Sequence, residues 1–291
     1  MSMLVSLQHG TRYLYDRPVT LGPHEIRLKP VPAGRTPVTA YSLAVRPACH
    51  TMHWHYDAAG NHVARVLFQD RISQLEIDVA LTADLTPVNP FDFLVEPGAE
   101  RYPLAYPEAA LPDLAPFLAI AESGERLQRW VMAFRSSDKP EGRGTIELLA
   151  RINERVKRDI GYVTRMEYGI QSCEDTLRQQ SGSCRDSSWL LVQVLRHLGI
   201  AARFVSGYLI QLSGSSPDAP KADSAELHAW AEAYLPGAGW IGFDPTSGLL
   251  AAEGHIPLAR AVTPELAAPV TGSVEPSNSQ MQFSISVQRL P

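Results

Sequence analysis

The chain has 291 residues, 45% of them hydrophobic and 20% charged, with a formal net charge of −5 at pH 7. These are globular values and the length suits two domains. A mildly acidic chain without a Lys/Arg run argues against nucleic acid as a partner, and no apolar run approaches the roughly 20 residues of a membrane span.

Residues 1–11 lack a basic start followed by an apolar block, so no secretory leader is read there. Residues 4–85 read as strands. Tyr13 and Tyr15 alternate with Arg12 and Leu14, and 42–45 is a short apolar run. Residues 51–56 and 63–68 flank Asp57-Ala58-Ala59-Gly60-Asn61 and predict a hairpin. Residues 74–81 alternate polar and apolar with period two. Short strands with frequent turn signals predict a β-sandwich over residues 1–86. Cys49, His50, His53, His55 and His62 are metal-ligand residue types, but their spacing is not that of a ligand set. They are read as solvent-facing strand histidines, with no metal. No acidic loop has calcium-site spacing.

Residues 87–116 are proline-rich and predict an extended connector, with Phe91, Phe93, Tyr102 and Tyr106 pinning it to the surface. Helices follow from residue 117. Leu127, Trp130, Val131 and Phe134 share one face of a helix over 124–134. Ile146, Leu149, Ile152, Val156 and Ile160 do so over 145–160. Ser172 is placed to cap a short helix through Leu177, with Cys173 at its start. A redox pair of Cys173 with Cys184 is conceivable, but a structural cysteine is the commoner case.

Ser181-Gly182-Ser183-Cys184-Arg185-Asp186 leads directly into an apolar helical run with Trp189, Val192, Leu195 and Leu198 on one face, and Gly199 as its stop. This spacing puts Cys184 in the first turn of a helix buried on one face. There the unpaired N–H groups and the dipole favour the thiolate, the nucleophilic form. Three cysteines are too few and odd in number for a disulfide framework, which suits a reducing cytoplasm. Residues 201–211 predict a strand. The small, polar stretch 213–224 reads either as a lid beside the site or as a plain surface loop.

Residues 225–235 and 240–246 read as two strands joined by Pro236-Gly237-Ala238-Gly239. Pairing Leu235 with Gly239 and Tyr234 with Trp240 sets His228 beside Thr246 and Asp244 beside Trp230, all on one face. His228 and Asp244 are then diagonal neighbours, roughly 7 Å apart by backbone. A cysteine at a helix mouth, a histidine and an orienting carboxylate make a nucleophile–base–orienter set. The strictly alternating run 281–288 predicts a closing C-terminal strand.

The order Cys184, His228, Asp244 and the words Gly-Ser-Cys-Arg-Asp (182–186), Leu-Gly-Ile-Ala-Ala-Arg-Phe-Val-Ser-Gly-Tyr (198–208), His-Ala-Trp-Ala-Glu (228–232) and Gly-Trp-Ile-Gly-Phe-Asp-Pro-Thr (239–246) resemble the bacterial transglutaminase-like family, whose members are often described as candidate cysteine proteases. Residues 9–15, Pro18-Val19 and 26–30 resemble the β-rich N-terminal domain that precedes this core in bacteria. The resemblance implies an α+β fold: an N-terminal β-sandwich (1–86), the connector (87–116) and a papain-like or transglutaminase-like core (117–291), with helices packed on an antiparallel sheet. Tyr162 matches an aromatic often present in the family. Tyr162, Arg185, Asp186 and Trp230 are the candidates to line the site. Where the family shows a Gly-Arg-Asp-Tyr-type stretch, this chain has residues 261–266, so contacts made by that stretch are not carried over.

The chemistry expected is acyl transfer. Cys184 attacks an amide carbonyl to give a thioester, His228 moves the proton and Asp244 orients the imidazole. Water as acceptor gives a peptidase or amidase, the favoured outcome; an amine gives a protein-glutamine transamidase. The reading of another class is a catalytically silent binding module. The substrate expected is a peptide, a protein or a small amide, with no cofactor, no nucleic acid and no membrane. Oligomeric state is open.

Overall fold

A computed structural model describes residues 2–32, 35–214 and 220–291. Six strands come first: β1 (Leu4–Val19), β2 (His24–Ile26), β3 (Val38–Arg46), β4 (His50–Tyr56), β5 (His62–Phe68) and β6 (Ile72–Asp84). The alternation in β6 turns Leu75, Ile77, Val79, Leu81 and Ala83 inward, as a half-buried strand requires. β4 and β5 form the expected hairpin, with Tyr56 opposite His62. His53 and His55 are exposed on it, and His50 bonds the Pro47 carbonyl through Nδ1.

The proline-rich stretch carries a helix that its composition hid. α1 (Leu111–Leu118) has a proline in its first turn, where the missing N–H costs no hydrogen bond. Of the four aromatics there, Tyr102 is buried and donates to the Leu198 carbonyl. Tyr106 bridges the Tyr234 carbonyl and the Ala201 N–H, and Phe93 packs on the core, whereas Phe91 is exposed. Then come α2 (Glu125–Asp138), α3 (Thr145–Asp159), β7 (Gly161–Tyr162), α4 (Cys173–Gln179), β8 (Ser181–Gly182) and α5 (Cys184–His197). Ser172 Oγ caps α4 by accepting from Asp175 N–H at 3.0 Å. α5 is more central than a one-sided helix: every residue but Arg185 and His197 is buried. The positions between its expected face are also apolar (Leu190, Leu191, Val194), and the Oε1 of buried Gln193 accepts from Ala121 and Glu122 N–H. Each leucine so buried contributes about 1.5–3 kcal/mol.

The rest of the chain is β9 (Ala202–Gln211), β10 (Ser224–Leu235), β11 (Gly239–Asp244), β12 (Leu249–Leu250), β13 (His255–Ala261), β14 (Val270–Thr271) and β15 (Ser279–Arg289). A five-stranded antiparallel sheet has the order β12-β11-β10-β9-β13. Two four-stranded sheets, β15-β1-β6-β3 and β14-β2-β5-β4, face each other across one apolar core. β7 and β8 pair in parallel. The fold is mixed α+β with antiparallel sheets and helices packed on one of them.

β15 corrects one expectation. The alternating C-terminal run is a strand, but it closes the N-terminal sheet by pairing with β1 from Val5–Arg289 to Tyr15–Ser279, not the sheet that carries the hairpin. Alternation fixes a strand's two faces and is silent about its partner. β9 is buried along its length except at Arg203 and Gln211. Its Ala202 and Phe204 join the core around α5. Its Tyr208 and Ile210 join the sandwich core, together with Ile256 and Leu258 of β13.

Candidate active site

Cys184 is the first residue of α5, so its N–H has no acceptor within the helix. That helix mouth is built by Asp186. Its Oδ2 accepts from Ser183 N–H at 2.8 Å and Ser183 Oγ at 2.7 Å, its Oδ1 accepts from Gln171 N–H at 2.6 Å, and Arg165 Nη1 donates to both oxygens at 2.8 Å. Burial opposes the charge of this carboxylate, but these bonds outweigh it and hold the group below its ordinary value. Arg185 turns outward and donates to the carbonyls of Arg165 and Glu167. Asp186 and Arg185 therefore brace the turn at Cys184 and the 163–171 loop beside it.

The β10–β11 hairpin has the register expected from its turn, Leu235 opposite Gly239 and Tyr234 opposite Trp240. β11 ends at Asp244, two residues short of Thr246, because Asp244 folds the chain back. Its Oδ1 accepts from Thr246 N–H at 2.8 Å and Oγ1 at 2.7 Å, and its carbonyl accepts from Asn153 Nδ2 at 3.1 Å. His228 Nε2 lies 3.1 Å from Asp244 Oδ2, and both residues are buried. That leaves Nδ1 as the ring nitrogen for Cys184, with Glu226 Oε1 3.6 Å away from it. Burial alone would push the imidazole down. The hydrogen bond to Asp244, the nearness of Cys184 and the charges of both outweigh it and raise His228 to about 10, while Nδ1 itself is buried without a hydrogen-bond partner among the described residues. Burial likewise opposes the Asp244 charge, but its bonds to His228 and His255 hold the carboxyl well below the usual range. Tyr162, half exposed on β7, pairs with Gly182, two residues before Cys184, and is raised by burial and then by the charges of Cys184, Glu226 and Asp244. Trp230 is buried, its ring edge-on to His255 at 5.2 Å.

His255 was not singled out by sequence. It opens β13, opposite Leu209 of β9, two strands away from His228. Its Nε2 lies 3.3 Å from Asp244 Oδ2. The backbone explains the reach: Gly207 of β9 stands opposite His228, and a Cβ there would meet the Ile256 carbonyl at 2.3 Å and the Trp230 ring at 2.5 Å. A glycine inside a strand often marks such a close approach, and that was the usable signal.

His228, Asp244 and His255 place donor atoms within 4.8 Å of one another, which raises the question of a metal. The tautomer speaks against one. His255 Nδ1 accepts from Ala252 N–H at 3.3 Å, so the ring's proton sits on Nε2, the atom a metal would need bare. Cys173 is buried beside Glu122. Desolvation and that carboxylate push its thiol far up, and all three cysteines are free. The centre of the 213–224 loop, read as a lid or a surface loop, lies outside the described residues. Among the described residues no helix is long and apolar enough to cross a membrane.

Comparison with known proteins gives matches across the chain. An uncharacterised protein of Mycobacterium tuberculosis is 24% identical over 287 residues, covering 97% of this chain and 91% of its own. One from Mycobacterium leprae is 26% identical over 260 residues, 85% of each chain. A crystal structure from Cytophaga hutchinsonii, described as that of a candidate cysteine protease, shares the fold with a TM-score of 0.73. It is 19% identical and covers 100% of this chain and 92% of its own. Residues 5–84 match the family model of the bacterial transglutaminase-like N-terminal region, and residues 132–245 match that of the transglutaminase-like superfamily.

Proposed function

We propose that the protein is a cysteine-dependent acyl-transfer enzyme acting on amide bonds, with Cys184 as nucleophile, His228 as acid and base, and Asp244 as the group that orients the imidazole. The observation that carries this is the 3.1 Å contact between His228 Nε2 and Asp244 Oδ2, with the other ring nitrogen left to a cysteine at a helix mouth. An imidazole raised to about 10 keeps its proton at neutral pH and so favours a thiolate partner. The thiolate attacks the amide carbonyl, and the Cys184 N–H is positioned to donate to the resulting oxyanion. His228 then protonates the leaving amine, giving a thioester, and afterwards deprotonates the incoming acceptor. Water is the acceptor in this reading, which makes the enzyme a peptidase or amidase; an amine acceptor would make it a transamidase.

A peptide or protein substrate is favoured by the loop over 163–171. Arg165 and Arg185 fix it next to Cys184, and it leaves Tyr162, Val163, Met166 and Tyr168 exposed in close succession. Isolated exposed apolar residues need no explanation, but a cluster beside a nucleophile suits apolar side chains of an extended substrate. Three free cysteines are in keeping with a reducing, cytoplasmic setting. We also read residues 1–86 as the unit that buttresses β9 and β13 from behind.

A library of peptides bearing electrophilic carbonyl groups, with mass spectrometry of the captured adduct, tests the assignment. The expected adduct is an acyl group on Cys184 that is absent in Cys184→Ala and lost on incubation in water. Capture on another residue, or equal capture by Cys184→Ala, overturns it.

A further inference from the structure

We infer that Asp244 serves two histidines at once, and that His255 is a positioning residue whose Nε2–H shares the Asp244 oxygen that His228 uses. The inference rests on the acyl-transfer reading and goes beyond its three residues. Asp244 Oδ1 accepts from Thr246 N–H and Oγ1, which leaves Oδ2 as the carboxylate oxygen that both imidazoles reach; Thr246 Oγ1 itself lies 3.4 Å from His228 Nε2. Both Nε2 atoms converge on it, at 3.1 Å from His228 and 3.3 Å from His255. Both distances lie above the about 2.7–2.9 Å typical of a charge-assisted bond.

What fixes His255 in the donor role is a local turn. His255 N–H donates to the Ala252 carbonyl at 2.9 Å, and Ala252 N–H donates back to His255 Nδ1. A proton on Nδ1 would set two N–H groups against each other. The ring therefore carries its proton on Nε2, aimed at the carboxylate. Trp230 holds the ring from the side, and the His255 and His228 rings approach to 6.0 Å between centroids.

The consequence is a restrained imidazolium. A second donor drains negative charge from Oδ2, so His228 holds its proton less tightly than it would with Asp244 to itself. A proton held too tightly is a poor one to give to a leaving amine. The other charged and titratable groups facing His228 are Cys184 at the start of α5, Glu226 on β10 and Tyr162 on β7. None of them touches the shared oxygen.

The test uses nitrogen-15 histidine NMR of the full chain. In wild-type protein the His255 ring is expected as the Nε2–H tautomer; an Nδ1–H tautomer overturns the inference and needs no variant. In His255→Leu the His228 Nε2 proton resonance should move downfield, and the pH at which His228 loses its proton should rise by about half a unit or more. His255→Gln keeps an N–H donor and should restore both towards wild type. A residue that merely fills space would leave both unmoved in a folded His255→Leu protein, and that result overturns the inference. Parallel alkylation separates the two levels. If wild-type Cys184 labels no faster than Cys49, the acyl-transfer reading itself falls, and this inference with it. If Cys184 labels fast and His255→Leu changes nothing, only the inference falls.

Discussion

Gly207 stands directly across the ladder from His228, and its missing side chain is what lets Trp230 and β13 close around the imidazole. A residue with no chemistry thereby sets the geometry of one that has it. Gly207→Ala should be destabilising by about 1–3 kcal/mol, since the clash is with a backbone carbonyl and an immobile indole. It should also slow Cys184 alkylation, because displacing Trp230 displaces His255. Thermal melting and alkylation rate, measured together, check this. An unchanged alkylation rate would mean that the packing around Gly207 is irrelevant to the site.

Asp186 should behave as a support. Asp186→Ala removes a helix cap and leaves the Arg165 guanidinium with only exposed Glu167 as an ion-pair partner among the described residues. A loss of at least about 2 kcal/mol is expected. Denaturant unfolding measures it. The mutant should still form its Cys184 adduct, only more slowly, whereas Cys184→Ala keeps the fold and loses at least about 10⁴-fold in amide turnover.

The buried pair makes stability depend on pH in a defined direction. His228 is raised from 6.5 to about 10, so its contribution is complete below 6.5 and is lost as pH climbs through 10. Asp244 is depressed below 3.8, so its contribution is present above that value and is lost as pH falls through its folded value. The pair therefore stabilises most between about pH 4 and 6.5. The melting-temperature gap between wild type and His228→Gln should be widest there and should close towards pH 10. A gap independent of pH would contradict a protonated His228.

How much of this was readable depends on how local the information is. The relation of His228 to Asp244 was legible because a short turn fixes the register of two adjacent strands, and register fixes which side chains share a face. The start of α5 was legible from a turn-forming tripeptide before an apolar run. His255 was not, since it reaches the site only because β13 pairs with β9, a neighbour set by the whole sheet. The partner of β15 was hidden for the same reason. α1 was hidden because its prolines read as a connector, although one of them sits where a helix tolerates it. Asp186 stands two residues after Cys184 and is a candidate to line the site. Only the fold reveals that Arg165, Gln171 and Ser183 occupy both its oxygens.

The relative alkylation rate of the three cysteines at pH 6 tests the central claim most directly. Iodoacetamide labelling followed by peptide mass spectrometry reads all three in one sample. The account predicts that Cys184 reacts at least about 100-fold faster than half-buried Cys49 and buried Cys173, and that His228→Ala abolishes the difference. Equal, slow labelling of all three in the wild-type protein would contradict it and would favour a catalytically silent binding module.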